Sequence, residues 1–153
     1  MSTDTTPTIR PLKPSDLDRV VDIDRQITGR GRKVFFEKRL EAALADTDGF
    51  IAVAAETDGT LSGFAIARLQ NGEFGVDHRV AVIDVIGVDP DSQSHGQGKL
   101  LLDGLTVKAK KLGITELKTQ VSWHDNDLIQ FFANADFLLA PSQVLERPTA
   151  RDF

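Results

Sequence analysis

Residues 80–112 constrain the chain most. They read V-A-V-I-D-V-I-G-V, then D-P-D-S, then Q-S-H-G-Q-G-K-L-L-L-D-G-L, closing on a further apolar-spaced run. An apolar run fit for a buried strand stops at Asp89-Pro90. A short loop holds Gly96 and Gly98, and an amphipathic helix follows with Leu101, Leu105, Ala109 and Leu112 on one face. Gly113 stands where a left-handed residue would end that helix. A helix N-terminus carries amides without partners and about half a positive charge. Glycine lets the backbone approach a ligand, because no Cβ stands in the way. The junction is predicted to be an anion cradle, or, on the glycines alone, a tight turn built from small residues.

The spacing narrows the chemistry. G-x-x-x-x-G-K-[ST] is absent, so this is no Walker loop, and no third glycine completes a dinucleotide fingerprint. The pattern is Gln93-x-x-Gly96-x-Gly98, just after Val88-Asp89-Pro90. In this it resembles the GNAT superfamily of N-acetyltransferases, whose acyl-CoA loop reads Q/R-x-x-G-x-G/A between a strand and a helix.

The rest of the chain reads in an order that fits. Residues 1–7 are a polar tail, expected to be flexible, and 8–12 a short strand. Ser15 caps a helix, with Asp18 three residues on and Leu17, Val20, Val21 and Ile27 as its buried stripe. Thr28-Gly29-Arg30-Gly31-Arg32-Lys33 breaks it, and a second helix runs over 34–45 with Phe36, Leu40, Ala43 and Leu44 inward. Strands over 49–56 and 61–69 flank the hairpin signal Thr57-Asp58-Gly59-Thr60. Residues 70–79 form a polar loop before the central strand. A strand over 116–123 follows, with Leu117, Thr119, Val121 and Trp123 on one face. Asp125 or Asn126 then caps a helix bearing Leu128, Ile129, Phe132 and Ala135. Residues 144–147 close the chain as an edge strand, on which two copies could pair as a homodimer. The resemblance implies an α/β fold of one domain over 1–153, a twisted mixed sheet with helices on both faces.

Asp84 is the only charge in its strand. Burying an ionised carboxylate costs several kcal/mol unless it is paired. In a regular strand it shares a face with Val82, Ile86 and Val88. It is either a base beside the acyl carbon, acting directly or through water, or a carboxylate satisfied by Arg68 or Arg79. The resemblance favours an acid near this point. A base has a definite task. A lysine-like amine needs about 4–5 kcal/mol to be neutral at pH 7, an α-amine only about 1.

The resemblance implies acetyl-CoA as co-substrate and a primary amine as acceptor. Backbone groups of Ile86, Gly87 and Val88 would hold the pantetheine arm as an added strand would. Gln93, Ser94, His95, Gly96, Gln97 and Gly98 would face the pyrophosphate, mainly through N–H groups, with Lys99 in reach of a phosphate or solvated. Asn126 would bond pantetheine, or is a plain N-cap. The segment N-D-L-I-Q-F-F-A-N-A-D-F resembles the family's N-x-x-A-x-x-L-Y-x-x-x-G-F, one residue shorter. Phe132 stands where the acid tyrosine falls, and Asp136 where the glycine falls. Phenylalanine gives no proton, so the acid is water, Ser122 or His124, or the thiolate leaves unaided.

Composition excludes other routes. The chain of 153 residues has no cysteine and no tyrosine, so it forms neither a cysteinyl acyl-enzyme nor a phenolic acid. His78, His95 and His124 are far apart in sequence, and no metal is expected. A net charge of −5 argues against nucleic acid and anionic membrane as partners. With no apolar span and no signal peptide, a cytoplasmic location is expected. Arg30, Arg32 and Lys33 would either bind an acceptor's anion or stay solvated, and Glu73 or Asp77 could meet an acceptor's ammonium group.

Overall fold

The hairpin signal sets the sheet. In the computed structural model, Asp58 and Gly59 both take positive φ (52° and 76°), the backbone of a type I′ turn. That turn joins β2 (Phe50–Thr57) to β3 (Thr60–Gln70). On one side of the pair lies β1 (Thr8–Pro11), antiparallel to β2. On the other lies β4 (Val80–Val88), antiparallel to β3, and then β5 (Leu117–Lys118), parallel to β4. The sheet order is β1-β2-β3-β4-β5, mixed as expected. The structure describes residues 6–75 and 78–150, with the backbone alone for Glu73, Gln93, Ser94 and His95. The stretch read as a tail therefore lies, up to residue 5, outside the described residues, as does Asp77.

Two helices pack on one face, α1 (Leu17–Thr28) and α2 (Lys33–Ala45). Val20, Val21, Ile23, Phe36, Leu40 and Ala43 meet Ala54, Phe64 and Ile66 of the sheet in one apolar cluster. Ile27, expected inside, is exposed, and Ile23 takes its place. Ser15 does not cap α1. A 3₁₀ turn over Pro14–Asp16 precedes it, and the buried Asp16 carboxylate accepts Lys13 N–H at 2.8 Å and two bonds from Arg10. Gly29, at φ 76°, ends α1 in the left-handed region, where glycine carries no Cβ penalty.

The other face takes α3 (Gln97–Lys111). Its buried stripe is Leu101, Leu102, Leu105 and Ala109. A Cβ on Gly63 would stand 3.0 Å from Leu101 Cδ1, and one on Gly104 would stand 3.1 Å from Ile9, so these glycines set the depth of packing. Leu112 is exposed beyond the last turn; Gly113 turns the chain at φ 75° and Ile114 is buried instead.

The chain divides into two compact units, Met1–Gln120 and Val121–Phe153. The second holds α4 (Asn126–Asn134), capped by Asp125, whose Oδ1 accepts Leu128 N–H at 3.2 Å. Phe132 is its buried residue, edge-on to Phe131 and beside Phe137. The strand expected over 116–123 is two residues long, and Trp123 is exposed. Residues 144–147 are not a strand; Val144 and Leu145 stand exposed, without the alternating burial that sheet pairing needs. Among the described residues, no helix is long and apolar enough to cross a membrane, and no His/Asp/Glu group is placed to hold a metal.

Candidate active site

The site begins with an irregularity in β4. Ile66 pairs with Val85, but Ala67 pairs with Ile83, so Asp84 is the extra residue of a β-bulge. The bulge breaks the period of two. Asp84 therefore does not share a face with Ile86 and Val88 as a regular strand would require. Beyond the bulge, Val85 joins the cluster under α1 and α2. A Cβ on Gly87 would meet the Phe64 ring at 2.8 Å, on that same face. Val88 lies against Gly63 and Leu101, on the α3 face.

Asp84 is paired by two arginines. Its Oδ2 lies 3.0 Å from Arg39 Nε of α2, and its Oδ1 lies 3.6 Å from Arg68 Nε of β3. Arg68 was one of two partners the sequence offered. Arg79, the other, donates to the Asp48 carbonyl at 3.3 Å. Arg39 was missed, because its place beside the Phe36–Leu40 stripe carries no signal until α2 docks.

The β4–β5 ladder holds two pairs, Ala81 with Leu117 and Val82 with Lys118. Thr119 Oγ1 adds a bond to the Ile83 carbonyl at 3.3 Å. β4 runs on to Val88, so Ile86 and Gly87 follow the point where that ladder ends. The strand then meets Asp89, which is buried. Its carboxylate accepts Asp91 N–H at 3.0 Å and a bond from Arg19 Nη2, and its own N–H donates to the Ser62 carbonyl at 2.8 Å. Arg19 also donates from Nε to the Leu61 carbonyl at 3.0 Å, tying α1 to both strand ends. Nothing in the pattern of α1 singles out Arg19, which sits on its polar side.

The expected open loop is a 3₁₀ turn, Pro90–His95, which carries the backbone of Gln93, Ser94 and His95. Gly96 follows at φ 70° and caps α3. A side chain is strained at that φ, so glycine suits the bend. The Gln97 side chain turns inward. It is buried, its Oε1 accepts Ser62 Oγ–H, and its Nε2 donates to Thr57 Oγ1 at 3.3 Å. It fastens the helix start to the β2–β3 hairpin and leaves only its backbone for a ligand. Lys99 is exposed in the first turn. Among the described residues no side chain caps the amides of Gln97, Gly98 and Lys99. With the helix dipole behind them, these amides fit a diphosphate.

In the second unit Asn126 is exposed at the first turn of α4, and its N–H donates to the His124 carbonyl at 3.0 Å; Asp125 is the cap. Asp136 takes φ 68°, the left-handed backbone expected where the compared motif has glycine. Ser122 and His124 are both exposed, and His124 lies against Trp123.

The connection between α1 and α2 holds a second aspartate. Asp24, buried, accepts Arg32 Nη2 at 2.7 Å, Arg32 Nε at 3.0 Å and Arg32 N–H at 3.3 Å. The Arg32 guanidinium holds the Asp24 carboxyl below the usual aspartate range, outweighing burial, with Arg32 N–H adding to the effect. Arg32 is therefore not free to bind a ligand, while Arg30 and Lys33 are exposed.

Comparison with known proteins agrees with this fold. The acetyltransferase (GNAT) family model matches residues 17–137, most of the chain. The chain belongs to that family, and with it to the acyltransferase enzymes. An aminoglycoside N-acetyltransferase, AAC(6')-Iy, in complex with CoA superposes with a TM-score of 0.80 at 19% identity, covering 95% of this chain and 96% of that one. The glucosamine-6-phosphate N-acetyltransferase of Arabidopsis thaliana gives 0.71 at 18%, covering 93% and 98%. The ribosomal-protein-alanine N-acetyltransferase of Brucella melitensis biovar Abortus 2308 gives 0.71 at 22%, covering 93% and 99%. No curated protein matches the sequence.

Proposed function

We propose that the chain transfers an acetyl group from acetyl-CoA directly to the primary amine of an acceptor. The observation that carries this reading is the course of β4 past its two-residue ladder with β5 into the Gly96 bend and the α3 amides. Gly96, Gln97 and Gly98 would hold the diphosphate through N–H groups, with Gln93, Ser94 and His95 lining the turn and Lys99 at its rim. The backbone of Ile86, Gly87 and Val88 would hold the pantetheine arm. An N–H at or near Ile86 would polarise the thioester carbonyl. With no cysteine in the chain, no thiol stands ready to carry the acyl group, and direct transfer follows. Asp84 would take the proton from the amine, directly or through water.

Phe132, buried among rings, donates no proton. A thiol near pKa 8.5 needs only about 2 kcal/mol of help to leave at pH 7. The rate would rest on holding the amine against the thioester. The structural relatives are named for aminoglycoside, glucosamine-6-phosphate and ribosomal-protein-alanine acetylation, three unlike acceptors, so the fold does not choose among them.

The test is calorimetry with CoA, ATP and NAD, followed by thiol-release assays with acetyl-CoA and an amine panel. CoA should bind in preference to the nucleotides, and thiol should appear only with an accepted amine. Asp84→Asn should lower turnover; unchanged turnover would take Asp84 out of the mechanism. Phe132 favours one second reading, an acyl-CoA sensor, which would bind CoA and release no thiol with any amine.

A further inference from the structure

We propose that Arg39 and Arg68 form an oxyanion-binding pair for the acceptor, held by Asp84, so that the acceptor is an amine that also carries a carboxylate or phosphate; the word acceptor rests on the acetyl transfer proposed above. Three elements converge here: Arg39 from α2, Arg68 from β3 and Asp84 from the β4 bulge. Two positive charges face one negative charge, which leaves one positive charge over. The Arg39 and Arg68 side chains are about a quarter and two-fifths exposed (26% and 40%) with their Nε atoms buried, so a ligand would meet them at the Nη ends. The Arg39 guanidinium lies 5.4 Å over the Phe35 ring, which fixes its plane.

The hydrogen bonding is incomplete in a particular way. Arg39 Nε, Arg68 Nε and Asp84 Oδ2 are buried, yet among the described residues none has a hydrogen-bond partner. The ion pairs hold by charge, with their N–H groups off the carboxylate oxygens. Among the described residues, no bond reaches the Nη nitrogens of either arginine. Buried polar groups are nearly always satisfied, and an arginine fork matches an oxyanion two bonds at a time. A bound oxyanion would accept from the Nη groups of both arginines, while the acceptor's ammonium, not its anion, would donate to Asp84. Ile86 stands two residues along β4, roughly 7 Å away at strand spacing. The amine and the anion of the acceptor are therefore separated by only a few bonds, with the ammonium drawn to Asp84.

The experiment is calorimetry on the whole chain at saturating CoA with two matched pairs. These are β-alanine against β-alanine amide, and O-phosphoethanolamine against ethanolamine; the two pairs separate carboxylate from phosphate. The anionic member of at least one pair should bind about tenfold tighter or more. Arg39→Gln and Arg68→Gln should abolish that preference. Arg39→Lys, which keeps the charge opposite Asp84 and so the fold, should weaken it about tenfold because the fork is gone. Arg30→Gln should leave it intact. Equal binding within both pairs, or a preference that survives Arg39→Lys and Arg68→Gln, overturns the proposal. A matching loss of CoA affinity in the arginine variants overturns it too, by giving the pair to the cofactor. A chain that ignores CoA but keeps the anion preference sinks the acetyl transfer and leaves the anion site standing.

Discussion

Two aspartates, each paired to arginine and both on the helix-covered side of the sheet, end up in opposite conditions. Asp24 receives three bonds from Arg32 alone, two from the guanidinium and one from the backbone. Arg32 also lies over the rings of Phe35 and Phe36, at 5.2 and 5.4 Å. Asp84 faces two guanidiniums, and among the described residues its Oδ2 and both Nε groups lack a hydrogen-bond partner. The first pair is closed: every fork finds its acceptor, and the α1–α2 connection is pinned. The second is open, with charge balanced roughly and hydrogen bonding left over. Identical residue types thus make an aligned clamp in one place and an unaligned charge cluster in the other. What separates them is alignment of N–H on oxygen, on which the energy of a buried pair depends.

The largest effect should come from the closed pair. Asp24→Ala strands a guanidinium and a backbone N–H, and should cost about 2–3 kcal/mol in urea unfolding. It should leave CoA affinity per folded molecule unchanged. A loss below about 0.5 kcal/mol would erase the distinction between the two sites.

Acid should act on the same pair next. Because the folded Asp24 carboxyl lies below its usual value, its stabilisation is full above the unfolded pKa of about 3.9. It is lost as pH falls through the lower, folded value. Thermal unfolding between pH 5 and pH 2 should fall less steeply in Asp24→Asn than in the parent; equal slopes would show that Arg32 does not hold the charge. Asp16 adds to the parent's slope in the same direction. Burial pushes its carboxyl up, but Arg10 and Lys13 N–H together hold it below the usual range.

The smallest effect should be on the open pair. Asp84→Asn breaks no aligned bond and should cost about 1 kcal/mol or less in stability, while acceptor turnover drops. A cost as large as that of Asp24→Ala would mean the Asp84 pair is also a clamp.

Much of the frame was legible in the sequence because the deciding interactions are local. Asp58-Gly59 demanded a I′ turn and formed one. Gly29, Gly96 and Gly113 stand at left-handed positions that end or begin helices. Asp136, placed where the compared motif has glycine, takes the same φ sign. The glycine bend before α3 was readable for this reason, being a contiguous stretch whose spacing carries its geometry. Its inner detail was not: Gln97 sits in the motif, yet its amide reaches Thr57 and Ser62, far back in the chain.

The acceptor side was legible only in part. Asp84 drew notice as a lone charge in an apolar run, but the face it would share with Ile86 and Val88 in a regular strand is lost at the bulge, which depends on registry with Ile66 and Ala67. Ile27 follows Ile23 by four residues on the same face of α1 but falls in the last turn, where it is left exposed; periodicity does not show where the packing stops. The strand expected over 116–123 alternates suitably, yet pairing needs a partner edge as well as a pattern, and 144–147, Val144-Leu145-Glu146-Arg147, lacks even the alternation.

The sequence by itself determined the turns, the order of elements and the loop that marks the family, since each is written in residues a few positions apart. Only the tertiary structure decided which arginines meet Asp84 and which meets Asp24. Such pairings join residues from 8 to 45 positions apart, and depend on how helices seat on a bulged sheet.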